Sequence, residues 1–264
     1  IKRDGDVRKG RRLRKRRMRR FLIALQFLTI LPFDIKGKIE KEDFGRSLLY
    51  FPMVGLLVGI FLSGVAFISG PISISVKSIL ILMAWIIITG AIHLDGFADT
   101  CDGFYGKRPR EEILRIMRDS RIGTMGATGI AMLVLFKFAV LSSIESGALW
   151  KILIMAAVFA RWSQALACST AKYARDEGRA EDFIKYAKRT DMLMGALFTL
   201  AINWFLLGIK GVILFALSLA TILLFIGYAK RVIGGMTGDT IGATNEIAEA
   251  ATLIFGLILL NYKI

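Results

Sequence analysis

Cysteine and histidine are scarce in this chain of 264 residues, which has only Cys101, Cys168 and His93 of these types. Two cysteines are too few for a disulfide framework, and their spacing matches no metal-binding motif. We therefore expect both thiols to be reduced and structural. The chain also lacks an internal repeat and any long polar stretch, which excludes a repeat architecture and a second soluble domain.

Apolar sequence is abundant instead. Hydrophobic residues make up 55% of the chain, above the roughly 45 to 50% of an ordinary soluble domain, and the mean hydropathy is +0.58. We therefore predict an all-α fold, a polytopic integral membrane helical bundle of about seven transmembrane helices. The apolar segments that predict these spans are 48–68, 78–94, 122–143, 152–170, 191–209, 212–229 and 248–262.

A shorter apolar piece, 21–33, is broken by Pro32. It cannot cross roughly 30 Å of hydrocarbon at about 1.5 Å per residue, so it predicts an interfacial or re-entrant helix. Two groups of glycines inside the apolar segments predict surfaces where helices pack closely. They are Gly55, Gly59 and Gly64, and Gly123, Gly126 and Gly129.

Positive charge is in excess and unevenly distributed. A net charge of +15 would indicate nucleic acid in a soluble chain, but these cations lie in loops, so we expect a lipid bilayer and no nucleic-acid partner. With the amino terminus inside, 30 of the 36 Lys and Arg residues fall on the cytoplasmic side and four on the opposite side. This asymmetry predicts a multi-pass protein of the cell membrane with its acidic motifs facing the cytoplasm.

Twelve of these cations lie in residues 1–20. Such a run predicts a disordered cytoplasmic arm that touches anionic lipid. The remaining residues, 21–264, are predicted to form a single transmembrane catalytic domain.

Three carboxylates follow directly on an apolar run, in the stretch from His93 to Gly103. In a helix, Asp95, Asp99 and Asp102 share one face. Three close anions need a cation, and Mg²⁺ with oxygen ligands and substrate phosphates is the usual solution. The alternative is an acidic helix face that is merely solvated.

A second acidic face precedes the last span, where Asp239, Glu246 and Glu249 have helical spacing. Carboxylates at the edge of an uncharged span face a cavity or bind a cation. Two acidic faces on one side of the membrane could hold two metals about 4 Å apart. A favourable interaction with the helix dipole is an alternative explanation for Glu249.

Arginines near the first acidic face suit a polyphosphate, because guanidinium groups grip phosphate oxygens. Arg118 and Arg121 flank Asp119, and we interpret this group as functional. Arg161 lies inside a predicted span, so it either reaches substrate phosphate from a cavity or forms a structural ion pair. Lys137 lies nearer the outer edge and is expected to snorkel.

His93 is either a structural histidine or, two residues before Asp95, a general base near neutral pH.

Six motifs in order resemble the cobalamin synthase family, the adenosylcobinamide-GDP ribazoletransferases, over nearly the whole chain from Met18. They are Phe27-Leu-Thr with Pro32, Phe51-Pro-x-x-Gly55, His93-Leu-Asp-Gly-x-Ala-Asp-Thr-x-Asp-Gly103, Met117-Arg-Asp-Ser-Arg-x-Gly123, Tyr173-Ala-Arg-x-Glu-Gly178, and Thr237-Gly-Asp-x-x-Gly-Ala with Glu246 and Glu249.

The resemblance implies a Mg²⁺-dependent enzyme that joins alpha-ribazole, or its 5'-phosphate, to adenosylcobinamide-GDP and releases GMP. A homo-oligomer is compatible with it. The expected catalytic residues are His93, Asp95 and Asp99. The expected metal ligands are Asp95, Asp99 and Asp102, with Asp239 and Glu246 as a second set. The expected substrate-binding residues are Arg118, Asp119, Arg121, Arg161 and Arg175.

Two other classes share some of these features. CDP-alcohol phosphotransferases have an acidic motif that begins Asp-Gly-x-x-Ala, but Asp99 stands where that alanine is expected. A cation transporter would have inverted repeats and acids near the middle of the bilayer, neither of which this sequence shows.

Overall fold

The computed structural model describes residues 2–35, 37–70, 72–178 and 180–261. Within these ranges the chain forms twelve α-helices and one short 3-10 helix, Leu48–Tyr50, with no β-strand. The α-helices are α1 (Lys2–Leu28), α2 (Lys41–Ser47), α3 (Phe51–Ile68), α4 (Ile74–Thr89), α5 (Ile92–Phe104), α6 (Arg110–Ile116), α7 (Thr124–Ser143), α8 (Ser146–Thr170), α9 (Glu181–Lys185), α10 (Arg189–Leu207), α11 (Ile209–Ile233) and α12 (Gly238–Asn261).

Six helical stretches of the described chain are long and apolar enough to cross a membrane: Lys41–Ile68, α7, α8, α10, α11 and α12. The pair α4 and α5 passes the same test only when the two helices are taken together, which gives up to seven spans. The prediction of an all-α, polytopic membrane bundle is therefore confirmed.

The predicted second span, 78–94, is interrupted by a bend of 91° between α4 and α5. Gly90 and Ala91 both have left-handed backbone conformations, with φ of 61° and 56°, and two such residues in succession end one helix and redirect the next. Glycine adopts this conformation freely, whereas alanine does so at a cost. His93 consequently lies beyond the bend, in α5, and not at the end of a straight span.

The amino-terminal region also differs from expectation, because α1 is one continuous helix where we predicted a disordered arm and a separate short helix. Three of its arginines are held by α2: Arg16 and Arg20 donate to one oxygen of Asp43 at 3.2 and 2.8 Å, and Arg19 donates to the other at 2.5 Å. Their charge thus has a partner within the protein. The last turns of α1 are anchored by Ala24 and Leu28, which are fully buried in the main core.

Helix α8 is the centre of the bundle, and every residue from Ile152 to Cys168 is buried. Glycines on α3 permit the closest approach, since a Cβ on Gly55 would lie 2.5 Å from the carbonyl oxygen of Ala157. The close packing predicted for α3 is confirmed at Gly55 and Gly59, while a Cβ at Gly64 would meet nothing within 4 Å. Polar side chains on α8 must therefore find partners inside the protein.

Candidate functional site

The two acidic helices meet through glycines. A Cβ on Gly96 of α5 would lie 2.8 Å from the carbonyl oxygen of Asp239, at the start of α12, and one on Gly242 would lie 3.3 Å from the carbonyl oxygen of His93. The absence of these side chains lets the two backbones touch. The first acidic face and Asp239 are consequently neighbours, as the sequence predicts.

Asp95 and Asp99 are one helical turn apart on α5. Asp99 is repelled most strongly by Asp239, then by Asp95 and Asp102, and is attracted by Arg175. Neither Asp95 nor Asp99 has a side-chain hydrogen bond or ion pair with any residue that the structure describes. These two carboxyl groups are therefore left without a bonded partner in this part of the chain.

Asp102, the third acid of this face, has a structural partner. Its two oxygens accept the backbone N–H groups of Gly123 and Gly126, at 2.7 and 2.8 Å. It thereby caps the amino terminus of α7 from a neighbouring helix, which satisfies donors that the helix leaves free. A Cβ on either glycine would lie 2.4 Å from an Asp102 oxygen, so these glycines make room for the cap.

Asp239 lies in the first turn of α12, and its Oδ2 accepts a hydrogen bond of 2.6 Å from Nη2 of Arg175. The same Nη2 donates to the carbonyl oxygen of Met117 at 3.3 Å. The segment that carries Arg175 is fixed to the start of α12 by two backbone hydrogen bonds of 2.9 Å, from Ala174 to Met236 and from Met236 to Lys172. Arg175 thus connects the second acidic motif to the loop that follows α6.

That loop places Arg118 and Asp119 on the wall of a cavity of about 340 Å³, together with Asp95 and Asp99. We call it the arginine cavity. Arg121 is largely exposed and donates from Nε and Nη2 to the two oxygens of Asp119, at 3.0 and 2.8 Å. These hydrogen bonds lower the pKa of the Asp119 carboxyl to about 2. Arg118, in contrast, has no such partner in the described chain.

A second cavity, of about 170 Å³, lies on the other side of Asp95. Its apolar wall contains Phe27, Phe51 and Phe183, and we call it the aromatic cavity. Its polar wall contains His93, Asp95, Gln164 and Asp239. Asp95 is therefore the acid that lines both cavities. No sequence pattern indicated this cavity, because its aromatic rings come from α1, α3 and α9.

Glu246 does not join the carboxylates of α5. Its Oε2 accepts a hydrogen bond of 2.6 Å from the buried Nζ of Lys137, which also donates to Oε2 of Glu249 at 2.5 Å. The expectation that Lys137 snorkels outward is wrong, because it points into the bundle and is 5% exposed. Glu246 is thus neutralised inside the protein, which weakens its assignment as a metal ligand.

Arg161 belongs to the same buried group and donates from Nη1 to Oε1 of Glu249. It is 0% exposed and lines neither cavity. Of the two alternatives that the sequence left open, the structure therefore shows the structural ion pair and not the phosphate-binding position.

His93 connects the aromatic cavity to this buried group. Its Nε2 is 3.1 Å from Nε2 of Gln164, which also donates to Oδ1 of Asn245 at 3.0 Å. Asn245 in turn donates to Oε1 of Glu249 at 3.0 Å. Sequence reasoning missed Gln164 and Asn245, although polar amides inside apolar segments are a signal of a buried network.

No group of three His, Cys, Asp or Glu side chains in the described ranges is arranged as a complete metal site. The unpaired oxygens of Asp95 and Asp99 nevertheless fit Mg²⁺, which takes one or two carboxylates and completes its shell with water and substrate phosphates. The residues present thus fit a metal that arrives with its substrate.

Fold and site together define a multi-pass helical membrane protein with an unpaired carboxylate, that of Asp95, at the junction of two cavities. The chain matches the family model described as cobalamin-5-phosphate synthase over residues 20–257. It belongs to that family.

Curated relatives match this chain over most of their length. An adenosylcobinamide-GDP ribazoletransferase from Clostridium novyi is 38% identical over 251 residues, which cover 93% of this chain and 98% of the relative. Proteins of the same name from Geotalea daltonii and Roseiflexus sp. are 34% and 37% identical, over 90% and 87% of this chain and 96% and 86% of the relatives. No solved structure matches the chain.

Proposed function

We propose that this protein transfers alpha-ribazole, or its 5'-phosphate, to adenosylcobinamide-GDP, releasing GMP and forming adenosylcobalamin or its 5'-phosphate. The family match and the names of the relatives support this activity. The structural observation that carries it is the position of Asp95 between two cavities of different chemistry. A transferase needs such an arrangement to bring two unlike substrates to one reacting atom.

In the proposed reaction, a ribose hydroxyl of alpha-ribazole attacks the phosphorus atom that is bonded to cobinamide. A new phosphorus–oxygen bond forms, the bond to GMP breaks, and the hydroxyl proton passes to Asp95 or His93, which both line the aromatic cavity. The 5'-phosphate form retains its phosphate in the product, so the attacking hydroxyl is not the one at the 5' position. Arg118 binds and orients the diphosphate from the arginine cavity.

Asp95 and Asp99 would hold Mg²⁺, which neutralises the diphosphate when it is bound. Asp239 completes the acidic surface, and Arg175 fixes its orientation through their 2.6 Å hydrogen bond. Asp102 supports the site by capping α7, and Glu246 supports it through the buried ion pairs. Arg121 orients Asp119 beside the cavity.

We further propose that the site faces the cytoplasm across the cell membrane. The excess of Lys and Arg in the loops on that side supports this orientation. Cysteine labelling tests it: a cysteine introduced at Lys151 should react only with reagent applied from outside the cell. Labelling at Lys151 only from the cytoplasmic side would reverse the proposed orientation.

The activity is tested with purified protein in detergent, adenosylcobinamide-GDP, alpha-ribazole and Mg²⁺. We expect GMP and adenosylcobalamin to appear in equal amounts. GMP should be absent when alpha-ribazole is omitted, or when EDTA removes the metal, and should return when Mg²⁺ is restored. Product formation that persists in EDTA would refute the metal requirement, and GMP release without a corrinoid product would refute the transfer.

A further inference from the structure

We infer that the aromatic cavity is the binding site for the planar base of the nucleoside substrate, and that the arginine cavity takes the diphosphate. This assignment rests on the proposed function. It specifies which cavity binds each substrate, and therefore from which side each substrate reaches Asp95.

The apolar wall of the aromatic cavity is suited to a flat ring. The ring centroids of Phe27 and Phe51 lie 4.6 and 5.8 Å from that of Phe183. Rings at such spacings pack against one another, so the three form one continuous aromatic surface on which a flat ring can lie. Phe51 and Phe183 are 1% and 3% exposed, so this wall is fixed by the bundle and not formed by mobile surface rings.

The volume of the aromatic cavity also fits a planar base. Its 170 Å³ is similar to the apolar cavity of about 150 Å³ that binds benzene in another protein. A base with two fused rings would fill it with one edge toward the opening. Small side chains, those of Cys168, Ala180 and Gly242, leave this space open.

The polar wall offers hydrogen-bonding groups for a neutral ligand. Gln164 is 1% exposed, and its amide nitrogen donates to His93 and Asn245. Its carbonyl oxygen has no partner among the described residues. An unpaired acceptor on a residue that lines a cavity favours a ligand with a donor, such as a ribose hydroxyl.

The two cavities differ in whether a cationic side chain lines them. Arg118 lines the arginine cavity, whereas no Lys or Arg side chain of the described chain lines the aromatic cavity. A diphosphate placed among the phenylalanines would be desolvated without a cation. The neutral aromatic base of the nucleoside is therefore assigned to the aromatic cavity.

The test fills one cavity and leaves the other unchanged. Cys168→Phe places a ring in the aromatic cavity, and Leu224→Phe, at an exposed position of α11, is the matched control because it adds a ring outside both cavities. We expect Cys168→Phe to raise the KM for alpha-ribazole at least tenfold and to leave the KM for adenosylcobinamide-GDP within about twofold. Leu224→Phe should stay within about twofold of wild type for both substrates.

Two further variants keep the test decisive if Cys168→Phe does not fold. Phe183→Leu retains an apolar side chain but removes the stacking surface, and it should weaken the binding of labelled alpha-ribazole alone, measured by equilibrium dialysis, about fivefold or more. Arg118→Gln should leave that binding unchanged and raise the KM for adenosylcobinamide-GDP.

The results distinguish failure of the proposed function from failure of the cavity assignment. If wild-type protein binds no alpha-ribazole and releases no GMP, the proposed function fails. If wild-type protein is active but Phe183→Leu binds alpha-ribazole with wild-type affinity, the cavity assignment fails. Loss of alpha-ribazole binding in Arg118→Gln with retention in Phe183→Leu would show that the cavities have the opposite occupants.

Discussion

Two pairs of carboxylates, one on α5 and one on α12, are in opposite electrostatic situations. Glu246 and Glu249 lie in the bundle core and receive Lys137 and Arg161 as internal partners. Asp95 lines both cavities, Asp99 lines the arginine cavity, and neither has an ion pair in the described chain. The difference separates the acids that the fold itself neutralises from those that have no partner in this part of the chain.

The largest expected effect is on catalysis. Asp95→Asn and Asp99→Asn should each lower the rate of GMP release by about 10³-fold or more, because an amide cannot supply the charge that the metal and the transition state need. The unfolding midpoint should not fall, since no internal cation loses its partner. Asp176→Asn, at an exposed position, is the matched control and should retain wild-type activity. Wild-type rates in both site variants would remove these acids from the mechanism.

Glu249→Gln should affect mainly the stability of the protein, whereas the two aspartate variants affect mainly its activity. It leaves the buried Arg161 and Lys137 with one fewer anion, and breaking a buried ion pair in this way costs about 3 to 5 kcal/mol. Unfolding in detergent, followed by circular dichroism, should therefore begin at a lower denaturant concentration. The exposed Glu145 provides the control, and Glu145→Gln should leave the midpoint unchanged. Equal midpoints for the two variants would mean that the buried ion pairs do not stabilise the fold.

Asp102 tests whether the third acid of α5 behaves like the acids with a structural partner or like Asp95 and Asp99. If it acts as the cap of α7, Asp102→Asn should destabilise the protein by about 1 kcal/mol and keep GMP release within about tenfold of wild type. Both quantities are measured on one preparation, with Asp99→Asn alongside. A loss of activity as large as that of Asp99→Asn would instead make Asp102 a metal ligand.

The smallest effect is expected at Arg121, because its pair with Asp119 is exposed and such pairs contribute little. Arg121→Gln should change GMP release by no more than about threefold. The pKa of Asp119 is lowered to about 2, so any contribution of this pair is present above the ordinary pKa of aspartate and is lost only as the pH falls toward 2. The ratio of variant to wild-type rates should therefore be constant between about pH 6 and pH 9. A ratio that varies over this range would show that Arg121 acts on the reaction directly.

The sequence predicted the class of fold and the neighbourhood of the site well, because both follow from local patterns. Apolar segment lengths indicated the spans, and the spacing of Asp95 and Asp99 placed them on one face of what proved to be α5. The ion pair of Glu246 was not predicted, because its partner, Lys137, is 109 residues away in sequence. The rotation of one helix against another decides such a pairing, and a single sequence does not show it.

The aromatic cavity and the buried amides of Gln164 and Asn245 could not be predicted from the sequence for the same reason. Phe27 and Phe183 are far apart in the chain and meet only after the bundle has assembled. Gln164 looked like an ordinary polar residue within an apolar segment, and its link to His93 depends on the position of α8 in the core. Residues whose role depends on packing between distant helices were therefore the ones that sequence reasoning missed.

The right-angle turn at Gly90 and Ala91 has a consequence for where the acids lie relative to α4. Because α5 leaves α4 at 91°, positions along α5 differ little along the axis of α4. A straight continuation would have spread Asp95, Asp99 and Asp102 over about 10 Å along that axis. The bend instead turns α5 across the start of α12, where Gly96 meets Asp239, and so keeps Asp95 and Asp99 level with each other beside a second acid.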